Sequence, residues 1–283
     1  MKTRTNKKPV NSTRKVTQIS FEKLVVTDNT ISNYDEYFIK EKEDPDWRKC
    51  GLFNPGEPRV YNGNGITLAE FVRRPHDIMR VWLPLQIHLF EGLRLLHKNN
   101  RPHGDLHFEN IMVDNDKPLI IDFGTKYNLN KLLNFNDLNE FDISFLPQYD
   151  YFPPEIDYLA GIKQNLDTTT IINNICDKKP IIEEYDDLFP SKHSFKERFT
   201  NFINLNSDND LYVCASDIWT LGSSFLRLYI LLITTPAFLK SDFYRKYHLE
   251  QMRIFQGMLN PDPRLRFTSE DILSELYTMR LNS

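Results

Sequence analysis

Cysteine is scarce in this 283-residue sequence, and its three copies, Cys50, Cys176 and Cys214, lie far apart. They form neither a paired metal spacing nor a disulfide framework, a pattern that points to a reducing compartment. The seven histidines contain no HExxH. No internal repeat is visible, and no GxGxxG precedes Asn62. A membrane span needs about twenty consecutive apolar residues. The most apolar stretch, Leu211 to Phe238, is broken by Asp217 and Arg227 and reads instead as a buried helix. An excess of one charge is lacking too: the formal net charge of -4 leaves no overall footprint for nucleic acid. Only the amino end is one-sided, with Lys2, Arg4, Lys7, Lys8, Arg14 and Lys15 and no acid among them. Residues 1–18 read as a basic flexible arm, and without an apolar run they do not read as a secretory signal.

What is present is a globular composition, 40% apolar and 26% charged, sufficient to bury the core of one large domain or two modest lobes. Ile19 to Val26 reads as a strand and Ser32 to Glu43 as a short helix; Pro45 to Pro58 is loop-like. A short strand at Arg59 to Tyr61 enters the Asn62-Gly63-Asn64-Gly65 turn, and Thr67 to Val72 opens a helix facing it. The next helix is expected to begin at Pro84, because proline suits the first helical position, and to end at Asn99 and Asn100. Leu85, Leu89, Leu93 and Leu96 form its apolar stripe.

Two apolar runs, Ile111 to Val113 and Leu119 to Ile121, flank Asp114-Asn115-Asp116-Lys117, a hairpin signature. Lys126 to Phe152 reads as a long folded loop. Gly161 to Asp210 is mostly polar and reads as an insertion with a short helix near Phe195 to Ile203. Within it, Asp186 and Asp187 beside Phe189 and Pro190 form a candidate docking patch for a partner, or a solvated loop face. Ser216 to Ile233 is apolar nearly all round, as an enclosed helix would be, with Pro236 ending it. Leu249 to Leu259 and Ser269 to Met279 form two amphipathic helices, with Ser269 and Asp271 suited to the start of the second.

The chemistry-bearing residues concentrate in one run: His103-Gly104-Asp105-Leu106-His107-Phe108-Glu109-Asn110, then the hairpin, then Asp122-Phe123-Gly124. A tight hairpin can gather Asp105, Asn110 and Asp122 around one opening. Phosphoryl transfer needs oxygen ligands for Mg²⁺ and a carboxylate to position and deprotonate an incoming hydroxyl. Any one of these residues could equally cap a turn. The ordered set is far more specific.

This run resembles the catalytic and metal-binding loops of the protein kinase superfamily, HRDxxxxN and DFG. The resemblance implies that Asp105 is the catalytic base, that Asn110 and Asp122 hold Mg²⁺ around ATP, and that His103 is a structural histidine packed at the Phe123 turn. Later residues resemble further landmarks of that family, covering about Val60 to Leu276. Pro153-Pro154-Glu155 is similar to its APE box. Asp217-Ile218-Trp219-Thr220-Leu221-Gly222 is similar to DxWSLG, where Asp217 would brace the catalytic loop. Asp262-Pro263-Arg264-Leu265-Arg266 is similar to DPxxR, with Arg266 paired to Glu155.

The implied fold is α+β and bilobal, with a reduced N-lobe over 19–61, a hinge at 62–66, and a mainly helical C-lobe over 67–283 carrying an insertion at about 161–210. Asn62 and Gly63 would lie over the adenine and Lys23 at the phosphates, with Lys15 as its competitor and Glu36 or Glu41 as the partner glutamate. Phe123 and Gly124 would be structural. The implied activity is ATP- and Mg²⁺-dependent phosphorylation of serine or threonine in a protein substrate. Gly104 stands where many protein kinases have arginine. His107, which would assist catalysis, replaces their lysine and resembles small-molecule kinases related to aminoglycoside phosphotransferases. The alternatives are therefore a small-molecule kinase or, given the missing Gly-rich loop, a pseudokinase acting as a binding module. The expected location is intracellular and cytoplasmic; compactness and asparagine richness suit a large DNA virus, hence host cytoplasm or virion.

Overall fold

The computed structural model describes residues 66–98, 102–121, 144–205 and 213–281. The basic arm, the expected elements between 19 and 61, the 62–65 turn, Asn99, Asn100, Asp122 to Gly124 and the 126–143 part of the expected loop lie outside the described residues. The described chain is mixed α+β, mostly helical, with one three-stranded antiparallel sheet ordered β1-β2-β3.

Strand β1 (Ile66–Thr67) pairs with β2 (Ile111–Asp114), which pairs with β3 (Lys117–Ile120). The register sets Ile111 opposite Ile120 and Asp114 opposite Lys117. Two residues therefore close the expected hairpin, Asn115 (φ 49°) and Asp116 (φ 65°). Both are left-handed, as a turn matching the strand twist requires, and Asn and Asp tolerate that region well. Helix α1 (Leu68–Phe71) follows β1, its amino end capped by the Thr67 hydroxyl accepting from the Glu70 amide.

Helix α2 spans Pro75–Lys98, so Pro84 lies in its interior instead of at its start. Ile78, Val81 and Trp82 extend the leucine stripe by two turns and are all buried. Burying each such side chain is worth about 1.5–3 kcal/mol, which together exceeds the ~3 kcal/mol cost of an interior proline. Pro84 itself sits on the exposed side.

The polar stretch after residue 160 is the largest departure from expectation. It is helical: α3 (Pro154–Lys163), α4 (Thr168–Lys178), α5 (Pro180–Leu188) and α6 (Phe195–Leu205). Its apolar residues are few but spaced to one face. Ile171, Ile175, Ile181, Tyr185, Phe195 and Phe199 are all fully buried in the main core. Asp167 caps α4 by accepting from the Thr170 amide at 2.9 Å. Asp186, half of the candidate docking patch, accepts from the Phe195 amide at 2.9 Å, and Phe189 is 7% exposed. Those two residues are used inside the fold.

Helix α7 (Val213–Ile233) runs through the centre, starting three residues earlier than expected. It is long and apolar enough to cross a membrane by length and composition, yet most of it is buried inside the protein. Pro236 opens a further short helix, α8 (Pro236–Leu239), a second helix close behind the first. Helix α9 (Asp242–Met258) begins seven residues before Leu249 and presses on α7 so closely that a Cβ on Gly222 would come within 2.9 Å of Met258 Cβ. Helix α10 (Ser269–Leu281) lies along α2. Its cap is reciprocal: the Thr268 hydroxyl accepts from the Asp271 amide while the Asp271 carboxylate accepts from the Thr268 amide at 2.8 Å.

A buried ion pair ties the start of α3 to the loop before α10. Arg266 donates to both Glu155 oxygens, at 2.5 and 2.7 Å, and also to the carbonyls of Asn260 and Ala215. The guanidinium lies 5.0 Å from the centre of the Trp219 ring. With Arg266 5% and Glu155 6% exposed, loss of either partner strands a charge in the interior. Arg266→Ala should lower the unfolding free energy by about 3–5 kcal/mol in a urea titration. An unchanged midpoint would show that the pair carries no net stabilisation.

Candidate active site

The loop from Pro102 to Asn110 is built around one carboxylate. Asp217, on α7 and fully buried, accepts from the amides of His103 and Gly104, each at 2.7 Å. His97, in the last turn of α2, places Nε2 3.1 Å from the same carboxylate. Gly104 has φ 81°, a conformation that a side chain strains. That supplies a physical reason for glycine here: its amide is turned to Asp217.

His103 is 1% exposed and links the loop to the hairpin. Its Nδ1 accepts from the Asp105 amide (3.3 Å), so Nε2 carries the hydrogen and donates to the Ile121 carbonyl (2.9 Å). Ile121 in turn donates its amide to the Asn110 carbonyl at 3.0 Å, closing the loop against the sheet. Asp122 follows Ile121 in sequence but, with Phe123 and Gly124, lies outside the described residues, as do Lys23, Asn62 and Gly63.

Three of the expected site residues meet. The Asn110 carboxamide, 4% exposed, donates to the Asp105 carbonyl at 2.8 Å and reaches its carboxylate at 3.4 Å. His107 Nδ1 accepts from the Glu109 amide at 3.2 Å, and its Nε2 lies 3.3 Å from the Asn110 carboxamide nitrogen and 3.6 Å from Asp105 Oδ1. The Asp105 side chain is 38% exposed, whereas His107 is 13% exposed. A carboxylate open to solvent, with a backbone locked from behind, can accept a proton from an approaching hydroxyl.

The structure adds a second wall that sequence patterning did not single out. Tyr151 sets its ring 5.4 Å from His107, and Tyr149 packs edge-on against both Tyr151 and Phe152. Burial first, and then the Asp105 charge, push the Tyr149 phenol above its ordinary value, so it remains a protonated donor. The backbone here is pinned to α7: Trp219 Nε1 donates to the Asp150 carbonyl and the Thr220 hydroxyl to that of Tyr151. Alternating aromatics in Tyr149-Asp150-Tyr151-Phe152 were the one available signal.

Among the described residues no cluster of three or more His, Cys, Asp or Glu is arranged to hold a metal. The expected Mg²⁺ set, Asn110 with Asp122, needs only two protein oxygens because this ion keeps phosphate and water ligands. Asn110 is a hard oxygen donor, and the residues fit such an ion in chemical type. Comparison with protein-family models found no match, and comparison with curated proteins found none either.

Asp217→Asn would turn an NH₂ or a weaker carbonyl toward amides that now meet a carboxylate. Loss of one charge-assisted bond should cost about 1.5–3 kcal/mol in chemical denaturation. Stability within about 0.5 kcal/mol of wild type, the range of an ordinary surface change, would contradict the bracing role.

Proposed function

We propose that this chain is a protein-kinase-like phosphotransferase, bilobal as a whole, that moves the γ-phosphate of ATP to a serine or threonine hydroxyl of a protein substrate. The observation that carries the reading is the Asp105 carboxylate, half-exposed, beside Asn110 and His107 on a loop held from behind by buried Asp217. The ordered landmarks His103 to Asn110, Pro153 to Glu155, Asp217 to Gly222 and Asp262 to Arg266 support it. So does the buried Glu155–Arg266 pair, which joins two of them across 111 positions.

In this reading Asp105 accepts the proton of the acceptor hydroxyl and aims its oxygen. Asn110 fixes the Asp105 backbone and, with Asp122, would hold Mg²⁺, which when bound neutralises phosphate charge. His107 sets its Nε2 3.6 Å from Asp105 Oδ1, on the flank of the carboxylate. Tyr149 and Tyr151 border the side from which an acceptor arrives. Lys23 is the candidate for the nucleotide phosphates, and Asn62 and Gly63 for the adenine. A scaffold lacking turnover would have no chemical use for Asp105, Asn110 and Asp122 together.

The test is transfer from γ-labelled ATP with Mg²⁺ to generic protein acceptors, with small hydroxyl compounds in a parallel arm. Wild type should label protein, and Asp105→Asn should reduce the rate by about 10²–10⁴, the range for loss of a general base. Asp105→Asn turnover within about twofold of wild type would sink the assignment of Asp105 as base. Labelling confined to the small compounds would transfer the reading to a small-molecule kinase.

A further inference from the structure

Lys179 is the least expected residue in the interior. It joins α4 to α5 and its side chain is fully buried, as is that of Asp157 on α3. Its ammonium lies 2.8 Å from Asp157 Oδ2 and also donates to the Tyr149 carbonyl at 2.6 Å. Two residues on, the Ile181 amide donates to Asp150 Oδ1 at 3.2 Å. The other Asp150 oxygen pairs with Arg227 of α7, which also lies 3.7 Å from Glu184 of α5. The junction between two helices of the 161–205 segment thus grips consecutive residues of the strip that borders Asp105.

A buried lysine is costly to keep unless its partners need it. Fully buried, the ammonium must satisfy its N–H donors from the protein, and one of them goes to a carbonyl 30 positions away. Trp219 and Thr220 of α7 hold the Asp150 and Tyr151 carbonyls from one side, and the Lys179–Ile181 junction holds the Tyr149 carbonyl and the Asp150 side chain from the other.

We propose that the Lys179–Ile181 junction is a clamp that sets the position of Tyr149 to Tyr151 against the catalytic loop, making Lys179 a positioning residue for the acceptor hydroxyl. The clamp follows from the contacts alone, whereas its effect on the acceptor rests on the phosphotransfer reading. The 161–205 helices are on this account a built-in support for the acceptor side. Lys179 acts through the Tyr149 backbone and touches no reacting atom.

The variant must separate support of the strip from simple loss of an ion pair. Burial pushes the Asp157 carboxyl up to about 7 even with the ammonium beside it, so removing Lys179 alone leaves an unmatched acid. The paired change Lys179→Met with Asp157→Asn removes both charges and keeps the size of both side chains. Arg227→Gln, at a half-exposed site, loosens the same strip from the surface and serves if the paired variant does not fold.

In hydrogen exchange by mass spectrometry, peptides covering 146–152 should exchange about tenfold faster in either variant, while those of α7 keep their protection. For the active enzyme, KM for a protein acceptor should rise about fivefold or more with KM for ATP unchanged. Unchanged exchange at 146–152 overturns the clamp whatever the activity. Faster exchange with an unaltered acceptor KM overturns the positioning role. If wild type transfers no phosphate, the kinase reading fails by itself and exchange alone decides the clamp.

Discussion

The carboxylate of Asp217 is the constraint on which the site depends. It is fully buried, accepts two backbone amides at 2.7 Å, and faces His97 from the preceding helix. Bonds of this kind, with one ionised partner, are about twice as strong as neutral ones. They hold the loop at His103 and Gly104, directly before Asp105, which needs no burial of its own to be positioned. The division of labour is physical: the charge that positions is dry, and the charge that would react is wet.

The rest of the described fold serves that arrangement. Helix α7 carries Asp217, Trp219 and Thr220 within one turn, and these reach the 102–110 loop, Asp150 and Tyr151 respectively. Its apolar faces are enclosed by α2, α6 and α9, with Trp82 edge-on to Phe225 at 5.7 Å and Phe195 edge-on to Trp219 at the same separation. The Glu155–Arg266 pair then locks α3 to the approach of α10. Asp217, Glu155 and Arg266 each have partners at short range, which is the condition for burying them at all.

Parts of this were legible in the sequence because they are local. The hairpin turn followed from Asn115 and Asp116, residues that accept left-handed backbone, and the central helix followed from its apolar length. Pro84 misled because local preference puts proline at a helix start, whereas burial of Ile78, Val81 and Trp82 in the tertiary core extends the helix past it. The 161–205 helices were hidden by their polar faces; their isoleucines and phenylalanines are sparse but phased. Lys179 had no signal, since a lysine among acids reads as solvated until the fold encloses it. Tyr149 and Tyr151 become site residues through contacts that distant residues make, Lys179 with the Tyr149 carbonyl and Trp219 and Thr220 of α7 with those of Asp150 and Tyr151.

Every role assigned around Asp105 presupposes a nucleotide beside it. The most direct measurement is therefore a calorimetric titration of the full chain with ATP, with and without Mg²⁺, beside Asp122→Asn. The account predicts saturable binding by wild type that strengthens with Mg²⁺ and loses that metal dependence in Asp122→Asn, because an oxygen ligand has gone. Absence of ATP binding by the wild-type chain under both conditions would contradict it.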